Sequence, residues 1–278
     1  MMLSTLWNPT HPDVAAALVT SLLLGLIHGI VPDEHTWPIT FSYAVGSYST
    51  RRGLRAGLLF SFTFTLQRAI ACELAWLGLS HWMENQWLDR FLLIPIGLLM
   101  AWGGWLMQRR RHSTPDKTSL LARTTASMPA IHGFVAGWGF GAFALILYTT
   151  LAPAMPNVWW GWLPGALFGI GTALVQGTVG ALFGHMAANQ RLSPNDMRTL
   201  ALDTASRTLR WGGGAYIGAG IAGTLWPRLA QWHIDTRWQL VGINHVDLPL
   251  MIAIITVLVV GIGGFFAQLR QLINHPTQ

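Results

Sequence analysis

Residues 25–40, GLIHGIVPDEHTWPIT, carry an apolar run into a proline and then straight back into apolar sequence. Two imidazoles and two carboxylates, His28, Asp33, Glu34 and His35, fall within that short stretch. Pro32 lacks the N–H that a helix needs and clashes with the preceding turn, and Gly29 already weakens the helix there. The pattern predicts that the chain breaks between His28 and His35 and then resumes an apolar course as TWPITFSYAVGSY. At membrane depth, backbone freed by such a break is tolerated only where it packs within protein or lines a cavity. The stretch decides the fold if its flanks lie in lipid.

Composition puts them there. Of 278 residues, 52% are apolar and only 10% charged, with a positive mean hydropathy. Soluble domains carry about 25% charged residues, so this chain cannot cover a water-facing surface. Thirty glycines and 15 tryptophans suit close helix packing and anchoring at the membrane interface. The net charge of +6 sits in short blocks between apolar runs, which argues for topology determinants and against nucleic acid. The single cysteine, Cys72, excludes an intramolecular disulfide and any CxxC motif. The first twelve residues hold no Lys or Arg, so the first apolar run reads as a retained helix rather than a cleaved signal.

A membrane helix needs about 20 mostly apolar residues. The runs that qualify are 13–31, 55–80, 90–108, 130–152, 160–186, 207–226 and 248–269, predicting an all-α polytopic protein of about seven spans. Tryptophans cluster near several run ends, as at Trp159, Trp160 and Trp162. Arg51, Arg52 and Arg55, then Arg109, Arg110, Arg111, Lys117 and Arg123, then Arg191, Arg198 and Arg207 occupy alternate loops. Those loops share the cytoplasmic side by the positive-inside rule, which puts the N-terminus outside and the C-terminus inside an inner membrane.

Two halves echo each other. LIHGIV (26–31) matches AIHGFV (130–135), pairing His28 with His132, and Gln67 in FTFTLQRAI pairs with Gln176 in GTALVQGTV. RFLLIPIG and RTLRWGGG open the third helix of each half. The predicted organisation is one membrane domain over 1–278. It comprises a first repeat at 13–108, a cytoplasmic basic loop at 109–128, a second repeat at 130–226, and a C-terminal helix at 248–269. A repeat of three helices inserts its second copy upside down, an architecture common in secondary transporters.

Charged residues inside a span cost at least ~2.5 kcal/mol each at the helix centre and are usually functional. Imidazole suits nickel, cobalt, copper and zinc, so His28, Asp33, Glu34 and His35, joined by His132, form the candidate metal site. Arg68 and Glu73 lie in mid-helix, five residues apart, too far round the helix to stack as a pair. With Gln67 and Gln176 they are candidates for transport or proton coupling. His185, near Asn189 and Arg191, reads as facing water.

HGIVPDEH resembles the histidine–acid signature of the nickel/cobalt transporter superfamily, which includes permeases, efflux proteins and urease-accessory membrane proteins. Its pattern is broadly H-(A/G)-x-(D/E)-(P/A)-(D/G)-H, followed by a basic loop and a helix with F-S-L-G-H-S-T. Here the loop is YSTRRGLRAG and FSFTFTL (60–66) takes the second place, while IHGFVAGWGFGAFALIL is similar to the second-half helix of the urease-accessory group. The resemblance implies ligand roles for His28, Asp33 and His35. Glu34 is one residue more than the pattern holds, Val31 stands where an acid is expected, and Thr63 and Phe64 replace the glycine and histidine of the second motif.

The expected function is an inner-membrane transporter of a divalent transition-metal cation such as nickel or cobalt, with no tightly bound cofactor. Alternatives are a carrier of a small anion or organic solute contacted by Arg68, and a non-transporting accessory protein for metalloenzyme assembly. No P-loop, HExxH or nucleophile elbow is present, so an enzyme is not expected. The expected partners are the bilayer and the transported ion, and a homo-oligomer is compatible with such a chain.

Overall fold

The computed structural model describes residues 12–31, 36–79, 86–113, 119–139, 141–190, 192–230, 232–236 and 245–274. Helix dominates. Helix α1 (Val14–Ile30) starts where the Asp13 carboxylate accepts from the Ala16 N–H at 2.7 Å. Helix α2 (Trp37–Ser47) follows the break and ends at Tyr48, whose φ of 39° turns the chain into α3 (Thr50–Leu74). A wide π turn at Ala75–Leu79 prolongs α3. Next come α4 (Gln86–His112), α5 (Leu120–Ala136), and α6 (Ala142–Ile146), which widens into a π turn at Leu147–Leu151. Helices α7 (Leu163–Ala188) and α8 (Pro194–Leu225) are the long pair of the second half. After the short α9 (Pro227–Ala230), strands β1 (His233–Asp235), which is exposed, and β2 (His245–Asp247) form an antiparallel ribbon. The chain closes with α10 (Leu248–Ile255), a π segment at Thr256–Gly263, and α11 (Gly264–Asn274).

Four of these helices are long and apolar enough to cross a membrane: Thr50–Leu79, Phe91–His112, Leu163–Ala188 and Leu248–Asn274. Their outer faces are greasy. Along α3, Leu54, Leu58, Phe62, Leu66 and Ile70 recur every fourth residue and are all exposed, while Phe60, Phe64, Gln67 and Arg68 face inward. An apolar stripe outside and polar side chains within is the inverse of a water-soluble helix. The chain is a multi-spanning helical membrane protein.

Two crossings hold the bundle, and glycines make both. On α3 and α7, a Cβ added at Gly53 would strike the Gly180 carbonyl, and one at Gly180 would strike that of Gly53. Gly97 of α4 and Gly213 of α8 stand in the same reciprocal relation. Backbones this close are the packing available to helices in lipid, where the hydrophobic effect between them is absent. Helix α1 lies on α7 through Gly25 and Gly171, and α5 lies on α3 through Gly133.

Several expected bounds move. The run at 130–152 is not one helix: α5 begins at Leu120, capped by Ser119, and the chain breaks after Ala136 before α6. Three glycines in GWGFG weaken helix locally, and Gly137 sits against the Gln67 side chain, with no room for a Cβ. The expected loop at 109–128 is shortened by helix at both ends, and the helix expected at 207–226 begins at Pro194 behind the Ser193 cap. The last helix packs into the bundle. Its Gly261 lies against the Phe41 ring of α2, Phe265 is fully buried, and Gln268 donates to Asp203 of α8. Asp203 also receives Arg111 at 2.7 Å and Arg207 at 2.9 Å, tying α4, α8 and α11 together at the arginine-rich end.

Candidate functional site

The last turn of α1 packs against α3, α6 and α7. His28, on the last turn of α1, is 4% exposed. Its ring stacks on Phe64 of α3 at 5.5 Å and meets Phe143 of α6 at 5.4 Å and Phe168 of α7 at 5.1 Å. A helix end at this depth must satisfy its last carbonyls from neighbours. The Gly29 carbonyl accepts two donors, Trp37 Nε1 of α2 and Gln176 Nε2 of α7, each at 3.0 Å. The Gly25 carbonyl accepts from Thr172 Oγ1 at 3.1 Å. Asp33, Glu34 and His35 lie outside the described residues.

His132 sits on α5 at 1% exposure. Its Nδ1 donates to the Met128 carbonyl at 3.0 Å and lies 3.4 Å from the Tyr43 hydroxyl of α2. A carbonyl can only accept, so that bond puts a proton on Nδ1. Gly103 of α4 makes the space that the Tyr43 hydroxyl and the His132 ring fill. His28 and His132 therefore pack against different residues. Among the described residues, no group of three or more His, Cys, Asp or Glu is placed to hold a metal ion.

On the next turn of α3 from Phe64, Arg68 is 3% exposed. Its Nη1 donates to the Tyr148 hydroxyl at 2.5 Å. The guanidinium carbon lies 4.9 Å from the Phe64 ring centre, 5.7 Å from Phe168 and 5.8 Å from Tyr148. Gln67 is fully buried, and neither of its amide atoms closes a hydrogen bond. Glu73 forms no ion pair with Arg68; its Oε2 is buried against Gly161, beside Trp76. His185 lies in reach of the Thr50 hydroxyl, at 3.4 Å, in an exposed setting as expected.

Of the candidates from the sequence, His28 and Arg68 meet on Phe64 and Phe168, and Gln176 holds the Gly29 carbonyl one residue beyond His28. Gln67 lies against Gly137, Glu73 follows about a turn beyond Arg68 on α3, and His132 packs separately with Tyr43 and Met128. Sequence reading missed Tyr148, Phe143, Phe168, Thr172 and the wholly internal α2 with Tyr43. Tyrosine is scarce, at four in the chain, and two of the four prove to touch candidate site residues. That scarcity was the available signal.

Among known proteins, no family model matches the chain, and no curated protein or solved structure is significantly similar to it.

Proposed function

We propose that this chain is an inner-membrane transporter of a divalent transition-metal cation, with nickel or cobalt the leading candidates. It works by alternating access between two inverted three-helix halves. The observation that carries the reading is the interrupted first span: α1 stops where its last turn packs against α3, α6 and α7, leaving a buried imidazole and carbonyls held by side chains of α2 and α7. Discontinuous helices of that kind form the substrate sites of secondary transporters near the bilayer midplane. The donor set assigned to the cargo is His28, Asp33, Glu34 and His35, with His132 from the other half. Imidazole and carboxylate together suit a borderline divalent ion. The resemblance of HGIVPDEH to the nickel/cobalt transporter signature supports the same cargo.

The packing supports the inverted repeat. Thr63 and Thr172 each lie four residues before one of the matched glutamines. Thr63 Oγ1 donates to the Ala130 carbonyl at 2.6 Å, and Thr172 Oγ1 to the Gly25 carbonyl at 3.1 Å. Each threonine thus reaches the helix that carries the opposite half's histidine. The contacts of α3 with α7, and of α4 with α8, join matched helices and are reciprocal at their glycines. Glu73, buried at one oxygen, is the residue assigned to proton coupling.

Replacing His28 with Ala tests the reading. In cells exposed to graded nickel or cobalt, the variant should lose at least about tenfold of the metal flux that the wild-type chain confers. The measurement is cell-associated metal, normalised to protein in the membrane. Undiminished flux in His28→Ala and in His35→Ala rejects this site.

A further inference from the structure

We infer that Arg68, Gln67 and Tyr148 form a binding site for a small carboxylate-like oxyanion inside the bundle, distinct from the donors assigned to the metal. A guanidinium does not lose its proton in a protein, so Arg68 stays charged wherever it is placed. Here it is 3% exposed, and among the described residues no carboxylate lies within ion-pair reach. Its one hydrogen bond goes to a neutral hydroxyl, Tyr148, through Nη1. The Nε–H is sealed from solvent and unused. Three aromatic faces offset part of the cost of the buried cation, but cation–π attraction is smaller than the desolvation of an ion. The group needs an anion.

The chemistry of the guanidinium selects the ligand. With Nη1 committed to Tyr148, the Nε edge of the guanidinium is left, and that edge with Nη2 presents two parallel N–H groups. A planar anion with two oxygens about as far apart as those of a carboxylate meets that edge side on. Gln67 is the preceding residue, fully buried, and its amide faces the Tyr148 hydroxyl without closing a well-formed hydrogen bond to it. It supplies a further donor, and its oxygen takes the proton of a hydrogen carbonate or a bridging water. The aromatic walls of Phe64, Phe168 and Tyr148 keep the site dry and exclude bulky anions. Because His28 packs against the same Phe64 and Phe168, an anion at Arg68 would also mask its positive charge from a cation bound near His28.

The test uses the full-length protein purified in detergent, with a chelator present so that its outcome is independent of the metal reading. Thermal unfolding is followed while sodium formate is titrated against sodium gluconate at constant ionic strength. Formate is expected to raise the midpoint in a saturable way, as a ligand of the native state does by mass action. Gluconate, too bulky for the site, should not. Arg68→Met should abolish the response. Gln67→Leu, which keeps the cation and serves if Arg68→Met does not fold, should weaken apparent formate affinity about three- to tenfold. An absent formate response in the wild-type chain, or an equal response in Gln67→Leu, overturns the site.

Discussion

The Gly29 carbonyl shows what a broken helix asks of its neighbours: it takes one hydrogen bond from an indole and one from an amide, both from other helices. Leaving a buried acceptor short of a donor costs about 1–3 kcal/mol. Gln176→Leu removes one of the two donors while Trp37 still serves the carbonyl, so it should destabilise the protein by about 0.5–1.5 kcal/mol, the net worth of one hydrogen bond. Unfolding in mixed detergent, read by tryptophan fluorescence, measures it. A Gln176→Glu variant, able only to accept when ionised, should be no better. Gln176 was legible from its place in the repeat, and so were His28 and Arg68, because a polar side chain in an apolar run is conspicuous. Their partners were not. Tyr148 lies 80 positions from Arg68, and an aromatic residue in an apolar run carries no mark of what it touches.

At the scale of the element, glycine is where the sequence divides from the fold. The glycines of α3 and α7 and those of GWGFG look alike in the chain, yet the first set joins helices and the second ends one. What separates them is the partner: Gly53 meets another glycine's backbone, whereas Gly137 meets the Gln67 side chain at the helix end. Periodicity reports neither, so the break in the span expected at 130–152 stayed hidden while most other helices were legible from apolar length. The close crossing also makes a measurable contrast. Gly180→Ala drives a Cβ into the Gly53 carbonyl and should cost about 1–3 kcal/mol, the usual penalty of overpacking. Gly214→Ala, on α8 with open space around it, should be neutral or stabilise by up to ~1 kcal/mol through helix propensity. Parallel denaturation curves distinguish the two, and equal effects would remove the crossing as a determinant of stability.

For the whole molecule, the distribution of charge and of tryptophan sets a direction across the bilayer. Arg51, Arg52 and Arg55 begin α3, Arg109, Arg110 and Arg111 end α4, and Arg198 lies in the first turns of α8. Trp159, Trp160 and Trp162 are exposed just before α7, at the far end of that helix from α8's start. Helix α7 has 26 residues, a length of ~39 Å at 1.5 Å per residue, enough to put Asn157 and Asn195 on opposite sides of a hydrocarbon core of about 30 Å. Both are exposed. Cys72, the chain's single thiol, is fully buried, so a cysteine introduced at the surface can be read against a silent background. If arginine marks the cytoplasmic face, Asn157→Cys should react with a membrane-impermeant maleimide in intact cells, and Asn195→Cys only after the membrane is opened. The reverse pattern would turn the molecule over. It would leave every contact in the bundle unchanged, because packing is blind to which side of the membrane each end faces and only the charge on the ends encodes it.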